Sequence, residues 1–141
     1  MVNTLKNISA YQGEPTGRND KISGGPLYDK MQILALLDDR GGLGISAWTE
    51  KCIDDVADLG FDADGNKGLA ELIRYALMHG RYRDSEWCLQ KPSGPWVAAD
   101  AYDLTRSEWI DAAYKELPIS YFVKFAVAKT GQLLLIVSCH T

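Results

Sequence analysis

Within five residues, His79-Gly80-Arg81-Tyr82-Arg83 gathers an imidazole, two guanidinium groups and a phenol ring. Such a set suits gripping a phosphate while a base stacks on an aromatic ring. The plainer reading of the same residues is a solvated helix end, where cationic side chains complement the helix dipole. Asp100 and Tyr102 stand two apart, on one face of an expected strand. There they would either polarise a proton donor or hold a tyrosine hydroxyl satisfied by a local partner. Lys124 interrupts an otherwise apolar run, on the face opposite Phe125. It is either a phosphate contact or a marker of the solvent face of a sheet. His140 follows the last apolar run. An imidazole suits proton transfer near neutral pH; the alternative is a frayed chain end.

Other constellations carry less. Asp62-Ala63-Asp64-Gly65-Asn66 has the look of a calcium loop, but loop positions six and twelve, which require Gly and Glu, hold Lys67 and Ile73. Cys52, Cys88 and Cys139 are widely spaced and form no CxxC pair, so neither a zinc site nor a redox pair is expected. Cys139 and His140 are strand neighbours that point to opposite faces, a poor dyad. No phosphate loop or dinucleotide fingerprint supports a metabolic enzyme. No cofactor or metal is expected.

The elements that must position these residues follow from periodicity. The chain has 141 residues, 46% of them hydrophobic and 24% charged, which fits one globular domain. Residues 1–27, rich in Gly, Pro, Asn and Ser, read as a flexible tail, with Leu5 to Tyr11 able to dock on the body or a partner. Residues 28–141 read as a single domain. Tyr28, Met31, Leu34 and Leu37 give a first helical face, stopped by Gly41-Gly42. Ser46 is expected to cap a second helix carrying Trp48, Cys52, Ile53 and Val56, with Gly60 ending it. Leu69, Leu72, Ile73, Ala76 and Leu77 mark the third. Strands are expected over 85–89 and 96–102, around a turn at 91–95. Thr105 and Glu108 have capping-box spacing, which predicts an inserted helix over 106–117 closed by Pro118. Strands over 119–128 and 133–139 then form a C-terminal hairpin. The expected fold is α+β, three helices packed on a mainly antiparallel sheet.

The order of these features resembles the MqsR family of toxin–antitoxin mRNA interferases, which share the RelE-like fold. The resemblance rests on Leu59-Gly60-Phe61-Asp62-Ala63-Asp64-Gly65, Trp96-Val97-Ala98-Ala99-Asp100-Ala101-Tyr102, Tyr121-Phe122-Val123-Lys124-Phe125 and Leu134 to His140, and covers roughly residues 28–141. It implies a metal-independent endoribonuclease acting on mRNA and silenced by a cognate antitoxin. Asp100, Tyr102 and Lys124 match family positions. The family tyrosine falls at Tyr121 or Phe122. Alanine stands where the family has glutamine, and His140 where it has a basic residue.

Two readings follow. In the first, Tyr102, Tyr121, Lys124 and His140 are catalytic, Asp100 supports them, and His79, Arg81, Tyr82 and Arg83 bind RNA. In the second, the same fold is a non-catalytic protein-binding module of immunity, antitoxin-like or inhibitor type. The net charge of −4 favours the second, since nucleic-acid binders are usually basic. A bacterial cytoplasmic protein is expected in both cases, with neither a membrane span nor a signal segment.

Overall fold

The computed structural model describes residues 5–61 and 67–141. Among these, the chain forms three helices and a five-stranded mixed sheet. The sequence motif at 62–66 lies outside the described residues.

Helix α1, Lys30–Arg40, starts where the Asp29 carboxylate accepts a hydrogen bond from the Met31 amide. It stops at Gly41, whose φ of 54° favours glycine. Its buried face is Ile33, Leu36 and Leu37, while Met31 is exposed. The apolar face expected from sequence takes its phase from Tyr28, which lies ahead of the Asp29 cap. Tyr28 is held there by its own bonds, its amide to Asp100 and its hydroxyl to the Ala98 carbonyl.

Strand β1, Ile45–Ala47, takes the place expected for the start of the second helix. Helix α2, Glu50–Leu59, is capped by Thr49 rather than Ser46. Thr49 Oγ1 accepts from the Cys52 amide at 3.0 Å and donates to the Val137 carbonyl at 2.6 Å, so one hydroxyl caps the helix and ties it to the sheet. Gly60, at φ 75°, ends α2 in the left-handed region. Helix α3, Lys67–His79, buries Leu69, Leu72, Ile73, Ala76 and Leu77 as its spacing predicts.

The remaining strands are β2 (Arg81–Leu89), β3 (Trp96–Ile110), β4 (Lys115–Val127) and β5 (Leu134–His140). Their order is β1-β5-β4-β3-β2, with β1 parallel to β5 and every other pair antiparallel. The C-terminal hairpin forms as expected. The inserted helix does not: Thr105 to Ile110 and Lys115 to Pro118 are the far ends of β3 and β4, joined by a turn at 111–114. Exposure alternates along them, with Thr105, Ser107 and Trp109 open and Arg106, Glu108 and Ile110 half-buried. That period of two overrides the capping-box spacing.

The N-terminal segment completes the sheet rather than hanging free of it. Ile8 donates to the Trp96 carbonyl and Ala10 to the Val127 carbonyl, so this stretch fills the gap where β3 and β4 no longer pair. Farther on, Ile22 donates to Ser85 and Trp87 donates to Asp20, which covers the outer edge of β2. The core runs from the helices onto β3, β4 and β5. A smaller cluster of Trp87, Trp96 and Ala98 packs with Tyr11, Ile22 and Leu27.

Candidate functional site

Paired residues in an antiparallel register share a face of the sheet. One row therefore runs Arg81, Asp103, Phe122 and His140 across four strands. The next holds Asp84, Ala101, Lys124 and Ser138. Phe122 is the hub of this face. The His140 imidazole lies 5.0 Å from its ring with planes 27° apart. The Arg83 guanidinium sits 5.3 Å and the Lys124 ammonium 5.7 Å from the same centroid, both in cation–π range. Arg83 is the extra residue where β2 bulges between Tyr82 and Asp84.

Beside Phe122 opens a cleft of about 800 Å³, lined among others by His79, Arg81, Thr105, Ser120 and Tyr121. His79 ends α3 and Arg81 begins β2, so the tight turn at Gly80 brings both to the rim. A Cβ on Gly80 would strike the backbone carbonyls of Ala76 and Asp103. Thr105 and Ser120 hydrogen-bond each other across β3 and β4 at 2.9 Å. Arg81 forms no ion pair among the described residues. Arg83 lies 3.6 Å from Asp103, with both side chains largely exposed, a pair of small energetic weight. Lys124 is committed more firmly. It pairs with Glu86, which also receives Lys21 at 2.9 Å, while Lys21 reaches Asp84 at 2.9 Å. Burial would raise the Glu86 carboxyl, but hydrogen bonds from Lys124 and Lys21 outweigh it and hold the group below the usual carboxylate range.

Tyr82, Tyr102 and Asp100 lie on the other face, toward the helices. Tyr102 is 4% exposed, stacked on Phe125 at 5.6 Å and edge-on to Tyr82 at 5.8 Å. Burial pushes its hydroxyl up to about 12. Asp100 is fully buried and accepts hydrogen bonds from the Leu27 and Tyr28 amides and from Ser85 Oγ. Burial raises its pKa against the opposing effect of these donors. Asp100 thus anchors the N-terminal segment, and Tyr102 fills the core. Tyr121 borders the cleft but shares the face of Leu104, its ring under the Arg106 guanidinium at 5.3 Å. Burial raises its pKa as well.

The structure therefore gathers Arg83, Lys124 and His140 on Phe122 with Arg81 in the cleft beside it, sets His79 at the cleft rim with its ring tilted on Tyr75 at 4.8 Å, and leaves Tyr82, Tyr102 and Asp100 behind the sheet. The sequence offers Phe122 only as an alternative to Tyr121; its spacing of two from Lys124 along one strand is the signal that points to a shared face. No group of His, Cys, Asp and Glu side chains among the described residues is arranged to hold a metal ion. The three cysteines are free and buried. No helix among the described residues is long and apolar enough to cross a membrane. Comparison with protein-family models, curated proteins and solved structures finds no match.

Proposed function

We propose that the chain is a toxin-like, RelE/MqsR-type protein that binds single-stranded RNA on the face around Phe122 and cleaves it without a metal. The observation that carries this reading is a half-buried ring carrying an imidazole, a guanidinium and an ammonium beside an open cleft that holds Arg81. A base stacks on such a platform, and the cations track the phosphates. Arg81 is the cation left to stabilise a phosphate in the cleft.

The chain has two histidines: His79 lines the cleft with its ring tilted on Tyr75, and His140 lies on the Phe122 ring that borders the cleft. One imidazole takes the proton from a ribose 2′-hydroxyl as its oxygen attacks the adjacent phosphorus. The other donates a proton to the departing 5′-oxygen as the P–O bond breaks. The products are a 2′,3′-cyclic phosphate and a 5′-hydroxyl. Tyr102 takes no part, because its hydroxyl is buried on the other face.

Incubation of a long single-stranded RNA with the purified protein in EDTA tests this. Cleavage that is lost in Arg81→Ala and in His140→Ala supports the enzyme reading. Cleavage that persists unchanged in both variants rejects the assignment. A second reading, the non-catalytic protein-binding module, is favoured by one observation: Glu86 and Asp103 already occupy Lys124 and Arg83. Saturable RNA binding with no cleavage removes the catalytic half of the proposal. Absence of any RNA binding leaves the protein-binding module.

A further inference from the structure

The register carries the end of one hairpin beyond its flanking strands, with α3 side chains near it only at Arg106. β2 stops at Arg81, opposite Asp103, and β5 stops at His140, opposite Phe122. β3 and β4 nevertheless stay paired as far as Ile110 and Lys115. Beyond the sheet they form a two-stranded ribbon, which is marginal alone in water. At its tip, Trp109 and Tyr114 are 53% and 83% exposed and pack edge-on at 5.2 Å.

The two outer edges of the ribbon are not equivalent. Pro118 sits opposite Ser107. Proline has no N–H and is tolerated in a paired strand where its nitrogen points away from the neighbour. The β4 edge is therefore blunted at its middle. Opposed residues in a non-hydrogen-bonded pair both direct their backbone groups outward. Ser107, and with it Thr105 and Trp109, presents N–H and C=O to the open β3 edge.

The charges on that edge are self-complementary. Arg106 and Glu108 flank Ser107, share a face and pair with each other. If the β3 edges of two copies lie antiparallel about a two-fold axis at Ser107, Arg106 of each copy falls opposite Glu108 of the other. Thr105 likewise falls opposite Trp109. This is an isologous contact, in which one patch satisfies itself.

We propose that the Thr105–Trp109 edge of β3 is a homodimer interface, in which two copies join their ribbons into one continuous sheet. The inference is independent of the RNA reading. Sedimentation equilibrium of the full chain tests it, with Arg106→Glu, Glu108→Arg and Ser107→Pro variants whose folding is checked by circular dichroism. Wild type is expected to dimerise reversibly at micromolar to sub-millimolar concentration. Each charge reversal places like charges opposite each other and raises the dimer Kd about tenfold or more. Ser107→Pro removes a central donor and gives monomer. The deciding arm mixes the two reversal variants one to one. Each variant still has a broken internal pair. In the heterodimer, however, the all-acidic edge of Arg106→Glu faces the all-basic edge of Glu108→Arg, so both cross-strand pairs regain opposite charge. Dimer restored in the mixture supports the proposal. A wild type that stays monomeric, or a mixture no more dimeric than its components, overturns it.

Discussion

The His140 imidazole stacks on the Phe122 ring at 5.0 Å, although the two residues belong to different strands and are 18 positions apart in sequence. The β4–β5 register sets them directly opposite each other. The same register that buries Tyr102 and Val123 on the helix side turns Phe122 and Lys124 to the other side. What separates scaffold from site is thus strand parity.

Parity gives a clean contrast between Tyr102 and the residues on the Phe122 face. Tyr102→Phe removes only a hydroxyl buried behind the sheet. It should leave RNA affinity and any cleavage rate within about twofold of wild type, as expected for a group that touches neither substrate nor reacting atoms. A tenfold loss of rate with unchanged melting temperature would return Tyr102 to the site.

Asp100 should matter for stability rather than chemistry. Asp100→Ala leaves the Leu27 and Tyr28 amides and the Ser85 hydroxyl without their buried acceptor, at a cost of about 2–4 kcal/mol in urea unfolding. Its carboxyl titrates higher in the folded chain than in the unfolded one. Its contribution is therefore complete below the ordinary aspartate range and declines as pH rises through the folded value. Asp100→Asn should lack that part of the pH dependence, which a series of unfolding curves across mildly acidic pH will register.

Glu86 should behave in the opposite sense. Its folded pKa lies below the usual value, so its contribution is present above the ordinary glutamate range and is lost as pH falls through the folded value. Glu86→Gln should flatten the acid limb of the stability profile. It also frees Lys124 while Lys21 stays on Asp84, so RNA affinity should rise rather than fall. A fall in affinity, measured by titration at fixed salt, would place Glu86 among the ligand contacts.

Gly25 is required by close approach. A Cβ there would lie well inside contact distance of Tyr82 Oη and Ser85 Oγ, which bond each other and, through Ser85, the Asp100 carboxylate that anchors the segment. Gly25→Ala should cost about 1–3 kcal/mol in unfolding free energy, as overpacking does. Gly24→Ala, with open space around it but a φ of 85°, tests backbone strain separately.

Much of this arrangement was legible in the chain and some was not, for identifiable reasons. The third helix showed itself through five apolar residues at helical spacing, and the C-terminal hairpin through two apolar runs around Lys129 to Gln132. The second helix began three residues late, because Thr49 rather than Ser46 has both a helix amide and a sheet carbonyl within reach. Thr105-x-x-Glu108 imitated a helix start, and the alternation of Thr105, Ser107 and Trp109 with Arg106, Glu108 and Ile110 was the competing signal. At the site, the cluster at 79–83 was visible as composition. Its division between two faces follows from strand alternation, which sets Tyr82 on the face opposite Arg81 and Arg83 once Arg81 opens β2 rather than closing the helix. Lys124 read as a free cation because Glu86, its partner, is distant in sequence and adjacent only across β3.

The central claim is that the Phe122 face holds single-stranded RNA. Fluorescence anisotropy of a short labelled single-stranded RNA, titrated with wild type and with Phe122→Ala at constant ionic strength, tests it most directly. Saturable binding by wild type, weakened about tenfold in Phe122→Ala, is expected from the loss of one stacked base. Equal affinity for the two proteins, or no saturable binding by wild type, would contradict it.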